Sequence, residues 1–249
     1  MYFIQDVQIY WKLFDADRSC KQIFSRWHEV SNKLNKSMRV FKKCSKLKKN
    51  QQRMTLADAG DTVEDANFVE AVAEANLLRL YGFYEWCMET CDSMDKQVKF
   101  RFASDSATYT YADKVFENEI NKTILTTRKL YDTMMYKEVL KSGFFELQSA
   151  RDRYRELCFE DMMNASLIKR FIQVQLVLLS PICPHICEYI WLNVLKSKES
   201  ILKASWPTTS ESSIDESLLN SAAFLTEAAH DFRTRQKNFT LAKTKAQVK

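Results

Sequence analysis

The sequence predicts an all-α fold, and three observations carry that expectation. The 249 residues contain only 3 Gly and 3 Pro, against roughly 17 and 12 at average usage. Both supply the special backbone angles of tight turns and phosphate loops. Their scarcity argues against a β-sandwich, a GxGxxG dinucleotide site and a Walker loop. Apolar side chains recur at three- and four-residue intervals over long stretches, which is the helical period. With 46% hydrophobic and 28% charged residues, the chain is long enough for one large or two small buried cores.

Residues 1–30 are apolar and aromatic: Trp11 and Phe14, then Phe24 and Trp27, stand three apart. Residues 31–53 carry nine Lys/Arg and no acid, which reads as a basic helix or a disordered arm. From Met54 the text is helical, and Gly60 is a helix stop followed by a turn. Asp61 or Thr62 is expected to cap the next helix, with Glu64 and Asp65 in its first turn. That helix is expected over 64–91, with Phe68, Val72, Ala75, Leu78, Tyr81 or Gly82, and Trp86 on one side. A loop around Ser104-Asp105-Ser106 leads to a second helix over 111–133, striped by Val115, Phe116, Ile120, Ile124 and Tyr131. A third, 136–159, carries Val139, Leu140, Phe144, Leu147, Tyr154 and Leu157. Gly143 inside it costs about 1 kcal/mol relative to Ala, so close approach of another backbone is its expected reason. A fourth helix, 164–179, is apolar on several sides and should be the most buried. Ser180-Pro181 ends it, and Pro184 sits in the first turn of a fifth, to about residue 195. A linker with Trp206-Pro207 and a Ser-rich run precedes the last helix, 215–239.

The net charge of +5 is a cancellation. Residues 1–53 hold 13 Lys/Arg and 4 Asp/Glu, 54–231 hold 18 and 28, and 232–249 hold 6 basic residues and no acid. An acidic body with two basic ends suits contact with phosphate, although charge runs of this kind also arise as solvated helix faces. Seven Cys, an odd number, without a signal-peptide pattern read as free thiols in a reducing, cytoplasmic compartment. The most apolar stretch, 171–179, is too short to span a bilayer.

Cys183-Pro184-His185-Ile186-Cys187 invites a zinc reading, but only Cys183 and Cys187 share a helix face and a second ligand pair is missing nearby, Cys87 and Cys91 being the only other close pair. Buried structural thiols are the better reading, and no metal is expected. His28, His185 and His230 stand apart, and no hydrolase motif or triad is visible, so no catalytic residue is assigned. The acids Asp58, Asp61, Glu64 and Asp65 read as helix-end capping. Arg151 and Arg155, at i, i+4, suit phosphate contact and exposed ion pairing about equally.

Residues 56–68 (LADAGDTVEDANF), Met134-Met135-Tyr136-Lys137-Glu138, Lys141-Ser142-Gly143-Phe144-Phe145-Glu146, Arg151-Asp152-Arg153-Tyr154-Arg155-Glu156-Leu157, residues 181–191 (PICPHICEYIW), Ala204-Ser205-Trp206-Pro207 and His230-Asp231-Phe232-Arg233 form a long string of motifs, and that string resembles eukaryotic cytosolic leucyl-tRNA synthetases, a class I family. Order and spacing hold over about 53–240. The resemblance implies a helical bundle of the anticodon-binding type with a stem-contact segment, over 54–240, flanked by an unmatched aromatic and Lys-rich segment, 1–53, and a basic tail, 241–249. It also implies that the Cys-Pro-His motif is a structural helix start.

The departures from the family are as informative. Its Rossmann domain carries an HIGH-type His pair, and no two His lie close enough for that in this chain. Lys43-Cys44-Ser45-Lys46-Leu47 resembles the KMSKS loop in keeping both Lys and the middle Ser. The Thr-Gly-Asn that normally follows is replaced by Lys48-Lys49-Asn50, and chance in a Lys-rich run explains Lys43, Ser45 and Lys46 better. The editing domain and the module that grips the long variable arm are absent.

The resemblance therefore implies a tRNA-binding helical module for leucine-type tRNA in cytosolic translation, lacking the ATP and leucine activation core. It is expected to be inactive alone and to hold no cofactor; ATP and Mg belong to the full family enzyme. Its mechanism would be electrostatic and shape-based, with the backbone met by cations and no base code read. Chosen on charge, the contacts are Lys122, Arg128, Lys129, Arg151, Arg155, Arg233 and Arg235. Two alternatives stand: a leucine–tRNA ligase whose gene model is truncated, and a non-catalytic helical module for other synthetase-complex proteins. No membrane partner is expected.

Overall fold

The computed structural model describes residues 45–61, 68–102, 108–158 and 162–247. Within them every element is helical, apart from an isolated parallel bridge between Arg101 and Asn164. The aromatic stretch 1–30, the Lys-rich run as far as residue 44, and Thr62, Glu64, Asp65 and Ser104-Asp105-Ser106 lie outside the described residues. No helix among the described residues is long and apolar enough to cross a membrane.

Helix α1 (Ser45–Ala59) begins inside the basic run and stops just before Gly60, as the glycine predicts. It packs on α2 (Glu70–Asp95). The face that α2 buries is not the expected one. Ala73, Asn76, Leu80, Phe83, Cys87 and Thr90 are buried, whereas Leu78 is among the exposed hydrophobics. Apolar residues stand on more than one side of α2, and polar partners decide the rotation. Asn76 Nδ2 donates to Asp58 Oδ2 at 3.1 Å, and Gln51 Nε2 donates to the Ala73 carbonyl at 2.9 Å.

Asp61 does not cap α2. Its Oδ1 accepts the Lys137 amide at 2.8 Å, so it satisfies a free N–H in the first turn of α4 (Tyr136–Leu140). The stretch expected as one helix over 136–159 is in fact three pieces. A π-helical turn, Lys141–Glu146, separates α4 from α5 (Leu147–Cys158). The widened turn frees backbone acceptors, and Gln175 Nε2 donates to the Phe144 carbonyl at 3.1 Å. Gly143 lies in this turn; a Cβ there would meet Thr127 Cγ2 and Oγ1 at 3.3 Å and Leu178 Cβ at 3.7 Å. The close neighbour is therefore a side chain rather than another backbone.

Helix α3 (Tyr111–Asp132) opens on a capping box between Thr110 and Asp113 and buries Val115, Phe116, Ile120, Ile124 and Tyr131, the stripe read from the sequence. It packs against α5 and against α6 (Ala165–Leu179). Helix α6 is capped by Asn164 Oδ1, which accepts the Ser166 and Leu167 amides, and most of its residues are buried, as expected. Pro184 takes the first position of α7 (Pro184–Tyr189), which continues into a second π turn, Ile190–Val194. The linker after it is pinned: Glu188 Oε2 accepts the Ile201 amide at 2.8 Å, and the Trp206 ring meets Tyr131 edge-on at 5.8 Å. The last helix, α8 (Glu216–Gln247), runs eight residues past its expected end, through most of the segment read as a tail.

Candidate nucleic-acid interface

Helix α8 is attached to the bundle by its first two turns. Asn118 and Asp215 exchange two hydrogen bonds, Nδ2 to the Asp215 carbonyl at 2.6 Å and the Asp215 amide to Oδ1 at 3.0 Å. The Tyr111 and Ser221 hydroxyls lie 2.8 Å apart. Asn118, later in α3 than Tyr111, meets Asp215, which comes before Ser221, so the two helices run antiparallel. Over residues 222–239, α8 is mostly exposed. Its next described polar contact with the bundle is between Arg233 Nη2 and Glu156 Oε2 of α5, at 3.9 Å.

The seven cations chosen from charge separate into two groups and one outlier. Lys122, Arg128 and Lys129 lie on the second half of α3. Lys122 pairs with Glu216 at 3.1 Å and Lys129 with Glu211 at 2.9 Å. Glu211 lies in the 3-10 turn Glu211–Ser213, and the Lys129 ammonium holds its carboxyl below the usual range. Arg128 is exposed and has no acidic partner among the described residues. Part of the positive charge of this group is therefore met within the chain.

Arg155, Arg233 and Arg235 form the second group. Arg155 follows α5 to its exposed end and contacts Asp152 at 3.5 Å. The Arg233–Glu156 contact brings α8 to that same end, because Glu156 is the next residue of α5. Arg235 and Lys237 are exposed on α8. Lys237 was not among the chosen residues, although the acid-free run after Asp231 already contained it. Both partners of the Arg233 and Arg155 contacts are largely exposed, and surface pairs of this kind contribute little.

Arg151 is the outlier. Its side chain is only 14% exposed, it pairs with Asp152 at 2.9 Å, and its guanidinium stacks on Trp86. It faces the body of the bundle, so it and Arg155 do not present one exposed stripe. Of the KMSKS-like residues, Ser45 and Lys46 open helix α1, and Lys43 lies outside the described residues.

The cysteine motif is part of the core. Cys183 and Cys187 are both buried, and Cys183 Sγ donates to the Asn50 carbonyl at 3.5 Å. Burial pushes both thiols well above their ordinary range, the reverse of what a thiolate ligand needs. Cys87 is likewise buried and pushed up, by burial first.

Tyr154, the residue before Arg155 on α5, enters a buried polar network. Tyr154 Oη donates to Asp113 Oδ1 at 2.5 Å and accepts the Asn164 amide at 2.8 Å. Asp113 Oδ2 accepts the Thr110 amide at 2.9 Å and a bond from Arg101. Burial raises the Asp113 carboxyl, but the bonds from Tyr154, Thr110 and Arg101 outweigh it and hold the group below the usual carboxylate range. One tyrosine thus ties α3, α5 and the start of α6 together.

Residues 113–248 match the family model described as the anticodon-binding domain of tRNA ligase. The cytoplasmic leucine–tRNA ligase of Pongo abelii is 48% identical over 189 residues, 76% of this chain and 15% of that protein. The putative cytoplasmic leucine–tRNA ligase of Schizosaccharomyces pombe is 38% identical over 220 residues, 86% of this chain and 19% of that protein. The cytoplasmic leucine–tRNA ligase of Saccharomyces cerevisiae is 39% identical over 181 residues, 73% and 16% respectively. The chain thus spans less than a fifth of the length of these relatives.

Proposed function

We propose a tRNA-holding role for this chain, which belongs to the anticodon-binding domain family of tRNA ligases and is of the leucyl-tRNA synthetase type. The observation that carries the reading is the exposed basic run of α8, in which Arg233, Arg235 and Lys237 follow Asp231 with no further acid, and which Arg233 sets against Glu156, the residue after Arg155 on α5. Those cations track the phosphates of a leucine-type tRNA, and the helical bundle supplies the shape that orients it. Attraction of this kind steers and positions the RNA, and carries no sequence code of its own. A cytosolic location is part of the same reading, supported by the names of the relatives and by the buried free thiols.

The test is a gel-shift titration of the whole chain with transcribed leucine tRNA across a salt series. The logarithm of affinity is expected to fall linearly with the logarithm of salt concentration. Arg155→Ala, Arg233→Ala and Arg235→Ala should each flatten that slope by roughly 1. Failure to form a salt-sensitive complex even at about 50 mM salt overturns the reading.

A further inference from the structure

We propose that the Phe232 ring on α8 is a stacking platform for an unpaired base of the bound RNA, with Arg233 and Arg235 holding the phosphates on either side. This rests on the tRNA-holding reading and adds to it a position and a mode of contact. Phe232 is 71% exposed, so its apolar surface faces water at a place where the bundle gives it nothing to cover. Helical geometry sets Arg235 three residues on, over the same face, and Arg233 about 100° round on the other flank. The ring therefore stands between two guanidinium groups. The Arg233 contact with Glu156, at 3.9 Å and exposed on both sides at 72% and 65%, sets this turn of α8 beside the end of α5 and meets part of the Arg233 charge, while Arg235 makes no ion pair among the described residues.

Charge selects the occupant. From Phe232 to Lys249 the sequence holds 6 basic residues and no acid, so the ring lies in a field that attracts a polyanion. A second copy of α8 paired around Phe232 would bring like charges together, Arg233 and Arg235 against the same two residues. An RNA strand offers both things the site presents a match for: an anionic backbone and a flat π face. A duplex hides its base faces, so the strand must be unpaired, as in a tRNA loop. Phe224 supplies the contrast. It is as exposed, at 70%, but Glu227 stands three residues on along its own face and no Lys or Arg lies within four residues of it, whereas Phe232 has one acid, Asp231, before it and Arg233 and Arg235 after it.

Affinities of the intact chain and of Phe232→Ala, Phe232→Trp and Phe224→Ala are measured at fixed salt, for transcribed leucine tRNA and for a blunt RNA duplex. Loss of one base stack weakens tRNA binding about tenfold in Phe232→Ala, with the salt slope unchanged and affinity restored in Phe232→Trp. Phe224→Ala should match the parent chain on tRNA, and none of the three variants should alter duplex binding. A parent chain that binds tRNA, with Phe232→Ala matching it, overturns the stacking platform and leaves the tRNA reading standing. A parent chain with no salt-sensitive complex removes both. Equal losses in Phe232→Ala and Phe224→Ala overturn it in favour of a general apolar contact. So does a dimer in sedimentation that Phe232→Ala converts to monomer. The exposed ring makes these variants safe for folding, which a thermal melt checks.

Discussion

The guanidinium carbon of Arg151 lies 4.4 Å from the centroid of the Trp86 ring, and Trp86 in turn meets Phe171 edge-on at 5.7 Å. The arginine thus closes the side of the core with its charge over an indole face. A cation on tryptophan contributes roughly 1–2 kcal/mol when largely desolvated, and the aliphatic stem adds packing. Arg151→Ala should therefore lower the melting temperature by about 2–4 °C for each kcal/mol lost. The salt slope of tRNA binding should stay at its parent value. A flattened slope with an unchanged melt would place Arg151 among the RNA contacts instead.

Asp61 connects the segment after α1 to the first turn of α4 through one hydrogen bond to the Lys137 amide. Replacing a capping side chain by Ala costs about 1 kcal/mol. Asp61→Ala should cost that much in a denaturant melt, and Asp61→Asn, which keeps an acceptor, should recover most of it. Hydrogen exchange localises the effect: the Lys137 amide should lose protection in the Ala variant while amides within α6 keep theirs. Uniform loss through the bundle would show that the bond is not a local cap.

Tyr154 gives a pH-dependent prediction. Tyr154→Phe removes the donor to Asp113 and the acceptor for the Asn164 amide, at a cost of roughly 2 kcal/mol near neutral pH. Asp113 has its carboxyl lowered in the folded state. A lowered acid contributes stability above its unfolded pKa, and that contribution is lost as pH falls through the folded value. The variant retains less of this lowering, so the stability gap between parent and variant should shrink as pH falls below about 4. Melts across an acid series check it; a gap that stays constant or widens toward acid contradicts the linkage.

The parts of this architecture that the sequence made legible are those governed by one periodic stripe. Helix α3 places Val115, Phe116, Ile120 and Ile124 on one face, and that face is the buried one. Helix α2 defeats the same reasoning, because Leu77, Leu78, Leu80, Tyr81, Phe83, Tyr84 and Trp86 spread around it. Its rotation was set by Asn76 finding Asp58 on α1, a contact 18 residues away in sequence. The cations behaved likewise. Charge alone identified Lys122 and Lys129, but their partners Glu216 and Glu211 lie 94 and 82 residues downstream. Local pattern cannot say which positive charges a distant acid will meet. The basic run after Asp231 was legible because no acid interrupts it, while its helical continuation to Gln247 was obscured by its tail-like composition.

The two helical glycines should respond to the same substitution with opposite signs. A Cβ on Gly82 would have nothing within 4 Å, and the position is exposed. Gly82→Ala should therefore gain the helix-propensity difference of about 1 kcal/mol, with no packing cost. Gly143 has the same propensity to gain, but its new methyl would press on Thr127 at 3.3 Å. Thr127 is fully buried in mid-α3, where a β-branched side chain has little rotamer freedom to move aside. Crowding of this kind costs roughly 1–3 kcal/mol, which exceeds the propensity gain, so Gly143→Ala should be destabilising. Thr127→Ala removes both crowded atoms, one of them a buried hydroxyl with no hydrogen-bond partner among the described residues. Gly143→Ala made in that background should recover most of its loss, and the double-mutant cycle should show favourable coupling. Additive effects in the cycle would mean that the wider π turn, rather than the Thr127 contact, is what holds glycine at position 143.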